Sequence, residues 1–496
     1  MKDIQKKRRF KYGAFAVTLT AAVIALVVVI NAIFTALCVK NGWFIDMTER
    51  DLYTPDPNAM ELLEQYRGSE EFNVEFIFCM PEDKLIKSEL CNMVHNIVKR
   101  YDEEYDFISV RYVDINQNPQ ILDDYLLTTS ATPKQTSVIV NNGVNAIVYS
   151  INSFFVSSDG TTDSIYAINA DQKIVSAVMR LSGENPVAHF VTGHGESVDN
   201  TALRVLFEDA GYQVKEIDLT EKDIDPDAKV VVINNPKTDF WGGNQAVNEI
   251  KKLDSFLDGS AALMVFLDET ADELPILEDF LSDWGVKFER QSVRDTSSGV
   301  PGTDGQVIYA KYSDSSIASP ITSSLKDSSR PLKPVITNCR PITLLYDDTV
   351  GKYFSNNGAT RYATSVLVTS SNAVGRPLEG GEPVKGVKNV LTLTVQDKMK
   401  DNVKQQSFLL AGGTNAFSDS QYINGSSYAN KDILYNAMKI FSKKEVPVGI
   451  TAKVFSDDTL TITAEEANRW TAICTVLLPA IVAGVGIFVY ARRRYL

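Results

Sequence analysis

The stretch Val191-Thr192-Gly193-His194-Gly195-Glu196 holds the residue types most able to do chemistry. An imidazole and a carboxylate two residues apart offer an acid/base pair or two metal ligands, and the flanking glycines let backbone approach a bound group closely. A metal would need a third ligand. His189 lies five residues earlier on an apolar run, His95 is far upstream, and no His-Glu-x-x-His spacing occurs. The same four residues Gly193, His194, Gly195 and Glu196 also fit a turn held by a His–Glu hydrogen bond, or contact with a small molecule or glycan. Ser418 and Asp419, after the apolar run Ser407–Ala411, are candidates to border the same crevice. No metal and no cofactor are expected.

Nucleophilic chemistry needs an activated thiol or hydroxyl at a strand-to-helix elbow with a base beside it. Cys79 follows the run Phe72–Phe78 directly, but Met80-Pro81-Glu82 supplies no resolving thiol, which dithiol exchange requires. Cys339 sits in Asn338-Cys339-Arg340, inside a loop-rich stretch, and neither Gly-x-Ser-x-Gly nor Gly-x-Cys-x-Gly is present. With Cys38 and Cys474 in the terminal apolar runs, Cys79, Cys91 and Cys339 give no disulfide framework and no zinc spacing. A phosphate-binding Gly-x-x-x-x-Gly-Lys-Ser/Thr loop is missing too. The chain reads as a binder or transmitter, not an enzyme.

The elements that position these residues follow from periodicity. Phe72–Phe78 and Phe107–Val113 read as strands, and Leu85–Tyr105 between them as an amphipathic helix with Leu90, Met93, Val94, Ile97, Val98 and Tyr101 on one face. A short helix is expected over Pro119–Leu127. Ser137–Val140 and Val144–Tyr149 form a hairpin around Asn141-Asn142-Gly143. This order resembles a thioredoxin-like domain. A linking helix, Asp171–Leu181, leads to a second alternation: strands Val187–Val191, Gln213–Ile217, Lys229–Ile233 and Ala261–Leu267, and helices up to Ala210, Gln245–Leu257 and Leu274–Trp284. Asp199 or Thr201 would cap the first of those helices and Gly211 would stop it. Such alternation predicts a doubly wound parallel sheet, whose ligands lie at the carboxyl ends of its strands, where Gly193–Glu196 falls. Between Gln291 and Gly386, Ser, Thr, Asp, Gly and Pro predominate, with Ile342–Tyr346 and Tyr362–Thr369 as isolated strands of an insertion. Strands Val390–Val395 and Ser407–Ala411 and a helix Asn430–Phe441 follow.

Both ends of the 496-residue chain are apolar. Tyr12–Val39 carries no charge, and Trp470–Tyr490 is broken only by Pro479 and two glycines. Each exceeds the roughly 18–20 residues that a helix needs to cross a bilayer. Lys2, Lys6, Lys7, Arg8, Arg9 and Lys11 precede the first run, and Arg492–Arg494 follow the second, so both tails are expected in the cytoplasm and Lys40–Arg469 outside. The first run is too long for a cleaved signal core, and Leu37 before Cys38 disfavours a lipoprotein site. The expected organisation is a tail (1–12), a transmembrane helix (13–39), a thioredoxin-like domain (45–170), an α/β domain (171–450) with its insertion (291–386), a membrane-proximal segment (451–469) bearing Glu465 and Glu466, a second transmembrane helix (470–490) and a tail (491–496). The formal charge is −14, and the basic tails make the rest more acidic still, which argues against nucleic acid as a partner.

Five features occur in one order: the early apolar helix with its thioredoxin-like unit; Val191–Glu196; Gly211-Tyr212-Gln213-Val214 running to Ile217-Asp218-Leu219; Phe417-Ser418-Asp419-Ser420 before the helix Asn430–Phe441; and a last apolar helix with a basic end. Together these resemble the GldG-like auxiliary components of ABC-type transporters over nearly the whole chain. The resemblance implies an integral-membrane, non-ATPase partner of an ABC-2-type permease and a separate cytoplasmic ATPase, in a cell membrane. It also implies a middle domain similar to the class I glutamine amidotransferase (flavodoxin-like) fold, here without a nucleophile. Small residues Ala480, Ala483, Gly484 and Gly486 would let the last helix approach the permease closely. The competing readings are a stand-alone membrane-anchored ligand- or glycan-binding surface protein, and a hydrolase using His194 and Glu196. The missing nucleophile weighs against the last.

Overall fold

Short β-branched and aromatic runs build the first sheet. The computed structural model describes residues 19–30 and, with short interruptions, 46–477, together with single positions as far as 484. Strand β1 (Val74–Phe78) pairs in parallel with β2 (Ile108–Tyr112) and antiparallel with β3 (Ser137–Asn141), which returns as β4 (Asn145–Ser150). The return is a tight turn in which Asn142 N–H donates to Asn145 O at 3.2 Å. Helix α1 (Glu89–Glu104) crosses from β1 to β2 and buries Cys91, Val94, His95, Ile97, Val98 and Tyr101. It starts later than its apolar spacing predicts, because Pro81 opens a separate turn of helix, Glu82–Leu85, and the chain restarts after Ser88. The expected helix at Pro119–Leu127 does not form among the described residues, which are turn there, with Leu126–Leu127 a strand parallel to β4. Just upstream the Asp114 carboxylate accepts Asn116 N–H at 3.1 Å, a local bond that competes with helix.

Helix α2 (Ala170–Leu181) joins the first unit to the second, and all twelve of its residues are buried. Beyond it, β5 (Val187–Thr192), α3 (Thr201–Asp209), β6 (Gln213–Asp218), β7 (Ala228–Asn234), α4 (Glu249–Leu257), β8 (Ala262–Phe266) and α5 (Pro275–Asp283) follow in alternation. Apolar side chains of the strands divide strictly by parity. Val230 and Val232, Ala262 and Met264 face one core with Leu203, Phe207 and Met438; Val231 and Ile233, Leu263 and Val265 face another with Leu253, Leu277 and Trp284. Strands covered on both faces have to be continuously apolar, which is why these runs lack polar alternation.

The sheet is larger and less uniform than a doubly wound parallel one. After β9 (Ile342–Leu344) and β10 (Ala359–Val368), β11 (Asn389–Lys400) and β12 (Val403–Gly412) form a hairpin whose second strand runs parallel to β8. Five parallel strands, in the order β12-β8-β7-β5-β6, therefore continue through antiparallel β11 into β10 and β9 as part of an 11-stranded sheet. The strands read as isolated within the insertion extend the main sheet. Ala363, Val366 and Leu367 of β10 are fully buried. Helices α6 (Ser420–Asn424) and α7 (Asn430–Ser442) follow. The chain then returns to the first unit, where Lys453–Val454 pairs antiparallel with Ile168 and Ala167.

At the ends, residues 19–30 are helical, while most of Tyr12–Val39 lies outside the described residues. Near the other end a helix Ala464–Ala472 passes into a wider turn, Ile473–Leu477. Among the described residues no helix is long and apolar enough to cross a membrane.

Candidate functional site

The turn after β5 brings His194 back under the sheet edge. Gly193 takes φ +101°, a conformation side chains resist, and a Cβ there would stand 2.8 Å from Asp218 Oδ2 at the end of neighbouring β6. The His194 carbonyl accepts N–H groups from Lys237 (2.7 Å) and Thr238 (2.9 Å), which lock the turn against the segment after β7. Its ring is only 3% exposed, lies flat on Phe240 with centroids 4.0 Å apart, and places Nε2 3.1 Å from Glu249 Oε2. Glu249, fully buried in the first turn of α4, also accepts Trp241 N–H at 2.8 Å. Asn248 caps the helix by accepting Lys251 N–H at 2.7 Å.

Electrostatics here oppose one another. Burial pulls the His194 pKa down, but the hydrogen bond and charge of Glu249, with Glu196 and Asp218 adding, carry it above the ordinary imidazole value. Glu196 is the weaker partner. Its Oε1 stands 3.8 Å from His194 Nδ1 and accepts the His194 backbone N–H at 3.3 Å. The ring is stacked on one face and held at Nε2, and its Nδ1 is buried with no hydrogen-bond partner among the described residues. Of the motif only His194 is buried, with Glu249 as its nearest anion, while Gly193 and Gly195 are exposed and Glu196 is half-buried.

Ser418 and Asp419 belong to a separate cluster. Asn234, the last residue of β7, donates through Nδ2 to Ser418 Oγ and to Asn200 Oδ1, both at 2.6 Å. Asp419 is the N-cap of α6 and accepts Gln421 N–H at 2.8 Å. Among the described residues no hydrogen bond or ion pair joins this pair to His194 or Glu196. The structure thus places both groups at the carboxyl edge of the sheet but turns them to different neighbours. Neither Asp199 nor Thr201 is the N-cap of α3: that position is Asn200, without a side-chain cap bond, while Asp199 accepts Thr201 N–H at 2.9 Å.

The other histidines stay apart. His189 points to Asp225 (3.2 Å), and His95 Nε2 lies 2.6 Å from Tyr112 Oη. No cluster of metal-binding side chains occurs among the described residues. Cys79 is 1% exposed, and burial pushes its thiol pKa up to about 12; burial raises that of Cys339 further still. Neither carries thiolate near neutrality. Of the proposed permease contacts, Gly484 is helical with nothing within 4 Å of a notional Cβ; Ala480, Ala483 and Gly486 lie outside the described residues. Glu466 pairs with Lys333 at 3.4 Å.

No family model matches the chain, and no curated protein does. Among solved structures it is similar to one titled mmIFT52 N-terminal domain, at 14% identity and a TM-score of 0.37, covering 52% of this chain and 99% of that one. A likeness at that level carries no argument about function. The functional residues that sequence reasoning missed are Glu249, Phe240 and Asn234. Asn248-Glu249 is an ordinary helix start in sequence, and nothing local marks its carboxylate as buried.

Proposed function

We propose that this chain is a non-catalytic auxiliary subunit of a GldG-like ABC-type transporter, anchored by a helix at each end. Its body, outside the membrane, binds or guides substrate or envelope partners, while an ABC-2-type permease and a separate cytoplasmic ATPase supply the pathway and the energy. The parallel β1–β2 pair continued by antiparallel β3 and β4 supports a thioredoxin-like first unit. The five parallel strands with helices on both faces support an amidotransferase-like second unit.

The observation that carries the reading is the helical segment 19–30. Its eight large apolar side chains, Leu19, Val23, Ile24 and Leu26 to Ile30, are 50–61% exposed, whereas Val230, Leu263 and Leu409 in the body are fully buried. An apolar surface on every side of a helix is stable against lipid or another apolar helix, not against water. The locked His194 supports a binding or coupling role over a catalytic one.

The test is co-purification. Tagged full-length chain extracted in mild detergent from its own cells is expected to bring a multi-pass permease and an ATPase with it, and Gly484→Leu with Gly486→Leu to weaken that association while the body stays folded. Consistent recovery of the chain alone, with both partners present in the cells, rejects the coupling role. It would favour the second reading, a stand-alone anchored binding protein, for which the cavity described next speaks.

A further inference from the structure

A cavity of about 850 Å³ opens between the two units, bounded by the short strands 155–157 and 165–168 and α2 on one side and by α3, α6 and α7 on the other. That volume falls within the range of about 300–1,000 Å³ typical of small-molecule sites. It is away from His194 and from the edge where Gly193–Glu196 lies, and its lining has a chemistry of its own.

Three features define that chemistry. Aromatic rings of Phe155, Tyr166 and Tyr428 form apolar walls. Amide side chains of Asn169, Gln172, Gln421 and Asn424 lie between them, and Asn169 Oδ1 is buried with no hydrogen-bond partner among the described residues. Such an orphaned acceptor wants a donor, and a hydroxyl supplies one. The third feature is charge. Lys173 and Asp209, each 4% exposed, neutralise one another, with Nζ 2.8 and 2.7 Å from the two carboxylate oxygens.

Lys431 is different. Its Nζ donates to two neutral acceptors, Gln172 Oε1 at 2.8 Å and the Ile450 carbonyl at 3.0 Å. The adjacent Asp432 carboxylate instead accepts Gly449 N–H at 3.3 Å. Burial draws the Lys431 pKa below the usual lysine range, against the opposing pull of Asp432, Asp209 and Asp56, none of which forms an ion pair with its Nζ among the described residues. An ammonium has three donors, so one remains for a ligand.

We propose that this cavity binds a small acidic saccharide, with its ring against Tyr166 and Tyr428, its hydroxyls on Asn169, Gln421 and Asn424, and its carboxylate on Lys431. Apolar ring faces suit the aromatic walls, hydroxyls suit the amides, and one anionic group completes Lys431. A neutral sugar would leave the ammonium unmatched, and a bare anion would leave the aromatic and amide surfaces unused. The inference rests on the two-unit body and not on the transporter reading, so failure of permease co-purification leaves it untouched.

Calorimetric titration of the full chain with D-glucuronate, D-glucose and inorganic phosphate tests it. Saturable binding of D-glucuronate is expected, with D-glucose about tenfold or more weaker, as loss of one charge-assisted bond implies, and no saturable heat from phosphate. Lys431→Met should reduce D-glucuronate to the affinity of D-glucose. Val205→Trp fills the cavity mouth from a side chain that is 39% exposed, so it should abolish binding of both sugars without lowering the melting temperature. That second variant decides the matter if Lys431→Met fails to fold. Absence of saturable D-glucuronate binding, phosphate binding as tight as D-glucuronate, or affinity unchanged by Val205→Trp overturns the proposal.

Discussion

His194 shows how one side chain can be conspicuous in sequence and closed in structure. The ring lies on Phe240 and against Glu249, 55 positions away, and its raised pKa follows from that carboxylate winning over burial. Because the folded pKa lies above the unfolded value of about 6.5, the stabilisation is complete below that value and is lost as pH rises through the folded pKa. Glu249→Gln is therefore expected to cost about 2–3 kcal/mol at about pH 6 and less at about pH 8.5. Urea unfolding at the two pH values measures this, and a difference that is constant or grows with pH contradicts it. The thiols give a second residue-scale expectation. Cys79 and Cys339, buried with pKa values raised by burial, should resist iodoacetamide at about pH 8 until the protein is denatured. Labelling of either in the native protein, read by peptide mass spectrometry, would show that its thiol is not buried. The motif itself was legible in Gly193-His194-Gly195-Glu196. Its partner was not, because a glutamate in the first turn of a helix is ordinarily solvated, and the His194 ring and Trp241 N–H that meet this buried carboxylate come from outside α4.

At the scale of elements, most strands and helices of the two α/β alternations stood near where their periods put them, since parity and 3–4 spacing are local properties; the Pro119–Leu127 helix did not form, and α1 and α4 begin four residues late. The assignment of β9 and β10 to the main sheet was hidden, because strand pairing across a long loop-rich stretch leaves no local mark. The hairpin β11–β12, with only two residues between Lys400 and Val403, is local, but only the apolar inner parts Val390–Val395 and Ser407–Ala411 of its strands stood out. One contact shows how firmly that addition is held. Arg340 N–H donates to Gly413 O at 2.7 Å, and a Cβ on Gly413 would fall 1.7 Å from the Arg340 carbonyl oxygen. The Arg340 side chain, 1% exposed, meanwhile reaches Glu278 on α5 at 2.9 Å. Gly413→Ala must push the backbones apart and is expected to lose about 3 kcal/mol or more. Gly183→Ala, where nothing lies within 4 Å, should stay within about 0.5 kcal/mol of the parent. Equal stability of the two variants in guanidinium unfolding would show that β12 does not run so close to residue 340.

The whole molecule turns on α2, which sequence marked only as a linker. Its Gln172 donates to Tyr435 Oη at 2.6 Å, Lys173 is clamped by Asp209 of α3, and Asp171 accepts from Tyr101 Oη of the first unit at 2.5 Å. One helix thus carries polar contacts into both units, a role that needs polar residues on faces a linker would leave in water. Lys173→Met alone should cost about 3–5 kcal/mol by leaving Asp209 buried and unpaired, whereas Lys173→Met with Asp209→Leu should recover most of that loss. A double variant no more stable than the single would mean that the pair is not buried between α2 and α3. Beyond the body, the account depends on the two ends lying across a membrane from everything between them. Single cysteines at Gln405 and Tyr495, introduced with Cys38→Ser and Cys474→Ser, report this directly through an impermeant maleimide applied to intact cells. Labelling at residue 405 but not at residue 495 until the cells are opened is the predicted result; labelling at residue 495 in intact cells, or none at residue 405, contradicts the two-anchored body on which the proposed function rests.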